Sequence, residues 1–394
     1  MATETGVWDL QQVRDKQLAS EWSYQALDPG KVFAWGLQST PAARNGSLGL
    51  NDTSNYSSPK QVGTDTDWLW VYTGAAIKSD GTLWMTGGQQ GSAGANDQGN
   101  LGLNDTISRS SPTQVGTDTT WKSVGTGGGT RATKTDGTLW WWGYGANGQS
   151  GMNFNEPSNQ RSSPVQIGTD TDWDKVFTGG GGSTGCFKTD GTLYMWGNNT
   201  RGNLGLNDTD KRSSPTQVPG TWKPDVCSSS YAVTHCARSD GTIWSWGDNE
   251  YGELGHNDRT QRSSPCQIAS DVTSWKSLTT GNAATLATKT DGTMYGWGTN
   301  SNGKCMLADG RKSSPTQVGS DSTWNYVNSG ADWSMASKTD GTIWMAGINE
   351  FGQIGNNQSN MTNYSSPIQL PGTNWVVRNC FGGNGHAPKA KQSA

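Results

Sequence analysis

The chain has 394 residues, with 29 Lys+Arg against 33 Asp+Glu and a formal net charge of −4. That balance provides no basic footprint for nucleic acid, and no run approaches the 18 apolar residues that a membrane-spanning helix needs. Glycine (55) is abundant and Trp (21) outnumbers Phe (6) and Tyr (10) together, and both recur in fixed places, so they mark turns and core rather than disorder.

Residues 1–29 precede the first repeat and carry Trp8, Leu10, Val13, Leu18 and Trp22 among charged neighbours. A segment this short cannot bury those side chains alone. It needs a surface, either a partner's or that of its own chain.

From Gly30 onward the chain repeats about every 51 residues. Ser-Ser-Pro ends at Pro59, Pro112, Pro164, Pro215, Pro265, Pro315 and Pro367, each followed by Trp68, Trp121, Trp173, Trp222, Trp275, Trp324 or Trp375. Asp-Gly-Thr follows at Asp80, Asp136, Asp190, Asp240, Asp291 and Asp340. In a clean copy, residues 191–197 alternate as a strand, with Leu193 and Met195 on one face and Tyr194 and Trp196 on the other. A polar loop leads to a second strand opening on Pro215, where proline costs no central ladder bond. The Trp strand is third, and a strand such as residues 131–134 is fourth, running into the next Asp-Gly turn. Four short antiparallel strands per unit and seven copies predict an all-β, seven-bladed β-propeller over residues 30–394, one unit per blade. Packing blade on blade buries the periodic tryptophans, each worth roughly 4 to 6 kcal/mol before entropy is subtracted. Trp70, Trp141 and Trp333 fall outside the repeated positions, with core still the better reading.

Seven prolines accompany only six Asp-Gly-Thr turns. The absent turn falls at the C-terminal end, and residues 30–36 match residues 137–143 position for position. The last hairpin is therefore split between the two ends, with residues 389–391 placed where residues 134–136 stand in an earlier unit. Such closure removes the open edge, so loss of the last dozen residues is expected to destabilise the whole ring.

Up-and-down strand order puts the Asp-Gly and Gly-Thr-Asp turns at one pole, short-looped and acidic, from which residues 1–29 depart. The glycine clusters and the long connections lie at the other. Those connections are longest in the first three units, which makes Arg44, Gln89, Gln90, Asn96 and Tyr144 the candidate contact residues. Within the loops a cation stands four residues after an acid, giving the pairs Asp105 with Arg109, Asp208 with Arg212 and Asp258 with Arg262. They are expected to pin the loops; a cationic ring for an anionic ligand is the alternative, and calcium is disfavoured by the small number of carboxylates per loop.

The six cysteines (Cys186, Cys227, Cys236, Cys266, Cys305, Cys380) are spread singly, which points to reduced thiols, although Cys227 and Cys236 flank one turn and can face each other. The three histidines (His235, His256, His386) lie in different units without metal-ligand spacing, and His235 is expected to be packed. No phosphate-cradling strand-Gly-helix motif is present, so neither catalysis nor a cofactor or metal is expected.

The segment Trp196-Gly-Asn-Asn-Thr-Arg-Gly-Asn-Leu-Gly205 with its following Ser-Ser-Pro resembles the repeat of the regulator of chromosome condensation family, seven-bladed propellers of about this unit length. It departs at Ser150-Gly151 and Cys305-Met306, and most units lack the family's histidine near the fourth strand. The resemblance implies a binding scaffold. The founding member's nucleotide exchange on a small GTPase and chromatin binding are not carried over, because no protruding hairpin or basic tail is found. Residues 6–13 with Leu18 and Trp22 resemble the leader of virion proteins from marine and cyanobacterial tailed phages. The two resemblances lead to a non-enzymatic phage structural protein located in the virion, docked on virion proteins through residues 1–29 and presenting its loops to a host surface receptor, a glycan or a neighbouring virion protein. A cytoplasmic scaffold of the chromosome-condensation type, binding a GTPase or other protein, is the alternative, and a carbohydrate-binding propeller is a second.

Overall fold

The computed structural model describes residues 29–37, 46–72, 74–87, 96–153, 160–179, 181–269, 272–358, 362–376, 380–381 and 388–393. The described strands form seven four-stranded antiparallel blades. Blade two shows the order: Trp121–Gly127, Gly129–Lys134, Leu139–Gly143 and Arg161–Ile167. The Trp strand is innermost, and the Ser-Ser-Pro strand lies at the rim. A blade therefore takes its inner half from one repeat unit and its outer half from the next, half a unit out of phase with the expected division. The ribbon Arg212–Ser230 makes the step visible, pairing with one blade through Val218 and with the next through Cys227.

Neighbouring Trp strands crowd around the axis and are tied by hydroxyls. Thr178 Oγ1 donates to Thr126 O at 2.7 Å, Val176 N to Ser123 Oγ at 3.2 Å and Thr280 N to Ser228 Oγ at 3.0 Å. Small Ser, Thr and Gly residues suit these positions because bulkier side chains would collide where inner strands converge.

Each blade also locks onto the one before it. The indole Nε1 of Trp142 donates to Asn100 O at 3.0 Å, that of Trp246 to Asn203 O at 3.0 Å and that of Trp297 to Glu253 O at 2.9 Å. The glycine of the Leu-Gly pair sits under the indole: a Cβ on Gly205 would come within 2.8 Å of Trp246 Nε1, and its φ is +74°. This contact, together with the positive φ, explains the motif.

The ring closes as the turn count requires. Lys389–Ser393 pairs antiparallel with Gly30–Gly36, between Trp375–Val376 inside and Tyr56–Gln61 outside. The register differs from expectation by three residues: Lys391 lies opposite Val32 as Thr133 lies opposite Leu139, so residues 389–391 match residues 131–133. Without an Asp-Gly turn there was no landmark to fix that count. The loop latch spans the closure too, with Trp35 Nε1 donating to Gln353 O at 2.9 Å and Asn357 N to Ser57 O at 2.7 Å.

Gly205→Ala is expected to lower stability by about 2 kcal/mol or more, since backbone strain and the indole clash act together. Gly319, at φ +60° with open space where a Cβ would stand, is the control that carries strain alone. Thermal unfolding of the alanine variants at both positions separates the two terms.

Candidate functional site

At the long-loop pole five of the connections share one template. A buried asparagine organises it: Asn199 Oδ1 accepts from Leu204 N at 2.9 Å while its Nδ2 donates to Asp208 O, and Asn249, Asn300 and Asn349 act alike. The expected loop ion pairs form, Asp105 with Arg109 at 2.6 Å, Asp208 with Arg212 at 2.5 Å and Asp258 with Arg262 at 2.7 Å. Hydrogen bonding to Arg262 holds the Asp258 carboxyl down at about 2. In the first unit Tyr56 takes the cation's place and donates to Asp52 at 2.5 Å, so a neutral donor serves the same end.

Asn96 belongs to that organising series. It is fully buried and bonds Leu101 N, Asp105 O and Ile107 O, which removes it from the outward contacts. Tyr144 is half-buried, its amide donating to Asn100 Oδ1 at 2.9 Å. Arg44, Gln89 and Gln90, and the anchor residues Trp8, Leu10, Val13, Leu18 and Trp22, lie outside the described residues. Trp141 and Trp333 are core, while Trp70 is half-buried under the Lys175 ammonium.

Beneath the loops, side chains midway along the second strand of a blade reach the same carbonyls that hold the indoles. Arg131 donates to Gln149 O and Gly128 O, and burial draws its pKa down to about 9. His235 bonds Glu253 O and Thr280 Oγ1, each at 3.1 Å, and burial draws it down to about 3. This is the packed role expected of it. His256 meets Ser245 Oγ at 3.0 Å, but that hydroxyl also donates to Leu254 O at 2.8 Å. With the serine proton committed, the imidazole must be the donor in their contact, the wrong polarity for a serine nucleophile.

The turn pole is less acidic in effect than its composition suggests. Lys134 lies between the Trp121 and Trp140 rings, 4.8 and 3.9 Å from their centroids, and pairs with Asp118 at 2.5 Å. Lys78, Lys188 and Lys338 repeat the arrangement with Asp65, Asp170 and Asp321. A cation at a fixed distance before each Asp-Gly turn was the available signal. In the closing blade this place holds Gln392, opposite Trp375.

Cys227 and Cys236 are cross-strand partners joined as a disulfide, their Cα atoms 4.1 Å apart, so the reduced-thiol expectation is corrected for this pair. Cys186, Cys266 and Cys305 are free thiols. Among the described residues no His, Cys, Asp and Glu cluster is placed to hold a metal.

The two histidines predict a pH signature. Burial draws His256 down to about 4, so both imidazoles stay neutral in the fold while the unfolded chain protonates near 6.5. Their contribution is complete above that pH and is lost below it, at about 1.4 kcal/mol per pH unit for each. The Glu253 carboxyl, raised by burial, works in the opposite sense. Urea unfolding from pH 7 to 5 is expected to show the loss, and His235→Gln to remove about half of it.

Residues 190–237 and 240–288 match the regulator of chromosome condensation (RCC1) repeat. These repeats are of the RCC1 type. The human probable E3 ubiquitin-protein ligase HERC6 is 27% identical over 229 residues, 55% of this chain, and the chain spans 21% of that protein's length. Human WBSCR16 superposes with a TM-score of 0.73 at 17% identity over 92% of this chain and 99% of that one. Prp20p of Saccharomyces cerevisiae, described with its binding to Gsp1p and histones, gives 0.74 at 17% over 94% and 93%. Yeast RCC1 (Prp20) bound to Kap60 gives 0.75 at 16% over 96% and 92%. At such identities these structures establish the shared RCC1-like propeller fold and nothing finer.

Proposed function

We propose that this chain is a non-enzymatic protein-binding scaffold whose contact surface is the long-loop pole. The observation that carries the reading is the placement of exposed apolar side chains. Among the described residues the large hydrophobics most open to solvent are Ile107, 63% exposed, and Tyr231, 53% exposed, and both belong to connections at that pole. Tyr231 sits at φ +49°, a conformation that a bulky residue seldom adopts, in the turn between Ser230 and Val233. The Asp105–Arg109 pair and the buried Asn96 hold the loop that presents Ile107, and paired strands hold the turn that presents Tyr231, which lowers the ordering cost of binding.

The partners named for similar propellers, Gsp1p, histones and Kap60, make a protein ligand the favoured class, in line with the cytoplasmic scaffold reading. Docking of residues 1–29 on a virion rests on the leader's resemblance, and mass spectrometry of purified particles tests it separately. Affinity capture with the intact chain, compared with Ile107→Ser/Tyr231→Ser, tests the pole. The double variant is expected to keep its melting temperature and lose at least about tenfold in affinity for the captured protein, the scale of truncating two interface anchors. Unchanged capture overturns the assignment of the surface.

A further inference from the structure

Two seams of the ring lack the tryptophan. Between other blades the slot is filled by Trp142, Trp196, Trp246, Trp297 or Trp35. A sixth seam compensates: Ala346 stands in the slot and Met306, at φ +57° where other units have glycine, packs in the same cluster. Between the closing blade and blade one, Thr86 occupies the slot and Gly49 is retained opposite it, its Cβ direction 3.5 Å from Thr86. The outcome is a cavity of about 20 Å³ bordered by Val32, Val62, Val71, Ala75, Trp84 and Thr86.

Lys389 also borders this cavity. It stands at the position that Arg131 and His235 hold in their blades, but those side chains bond loop carbonyls. Among the described residues no acceptor or carboxylate meets the Lys389 ammonium, and apolar burial alone draws its pKa down to about 8. Taken as a whole residue Lys389 is half-buried, at the edge of the seam.

We propose that Lys389 is an acylation site, its amine taking a short acyl group from an acyl phosphate or thioester into the vacant tryptophan slot. The nitrogen–carbon bond forms as the carbonyl carbon's bond to phosphate oxygen or thiolate sulfur breaks. Phosphate or thiolate leaves, and the nitrogen's proton passes to solvent. The apolar walls select this chemistry over two rivals. A protonated imine and a carbamate both leave a charge in the cavity, whereas an amide is neutral. Acylation removes the unpaired cation and supplies atoms where the seam is underfilled.

Limiting acetyl phosphate at pH 8, followed by peptide mapping, tests the site on the intact chain. An amine with an ordinary lysine pKa offers roughly a hundredfold less free base at that pH. Allowing for lower nucleophilicity, Lys389 is expected to label about tenfold faster than the exposed Lys60 and Lys223. Thr86→Trp, which refills the slot, is expected to slow labelling to the surface rate or below, and Lys389→Gln, a neutral stand-in for the acylated side chain, to raise the melting temperature. Labelling of Lys389 in the natural chain no faster than Lys60 overturns the proposal. So does a fall in melting temperature on Lys389→Gln.

Discussion

The bond from a tryptophan indole to the preceding blade's loop carbonyl is the constraint on which the rest of this ring depends. A blade of four short strands has two apolar faces and cannot cover either by itself. The carbonyls of Asn100, Asn203, Glu253 and Gln353 fix how closely the next blade approaches, because each accepts an indole N–H that would otherwise be buried without a partner. Close approach in turn demands glycine beneath the ring. Leu-Gly in the loop and Trp-Gly in the strand are thus two halves of one contact, contributed by different blades.

This coupling explains the departures as well as the rule. Ala346 removes an indole, and Met306 grows toward the freed space while accepting a left-handed backbone. At Thr86 the indole is gone without replacement, and the seam keeps a void with a lysine at its wall. Both irregularities obey the same geometry, since the loop residue and the strand residue that faces it must fill one volume between them. They differ in whether the loop side has adjusted.

The fold was legible in the repeat because period, proline and tryptophan each report a backbone requirement. Seven prolines against six Asp-Gly turns located the closure correctly, and the loop ion pairs followed from acid and cation four residues apart. Three features were not legible for physical reasons. The register of residues 389–391 had no turn to anchor it, and a slip there changes no composition. Asn96 looked like an outward polar residue because polarity alone does not tell a loop organiser from a contact; its spacing of five residues before Leu101, shared by Asn199 and Leu204, carried the information. Cys227 and Cys236 depended on strand register across their turn, which spacing does not determine.

The two poles divide labour through the same strands. At the turn pole, cations held between paired rings and facing aspartates lock strand ends where connections are short, as Lys134 does with Trp121, Trp140 and Asp118. Little is left there that is both rigid and unpaired. At the opposite pole, buried asparagines and loop ion pairs satisfy the backbone from within, so the outward side chains of the connections are free of structural duty. Ile107 shows the consequence: the Asp105 carboxylate caps its amide at 2.9 Å and Arg109 takes its carbonyl at 2.8 Å, while the side chain itself stays in solvent. A loop whose backbone is so completely held can exchange its outward residue at little cost to the fold. That separation lets one repeated frame carry different outward side chains in different units.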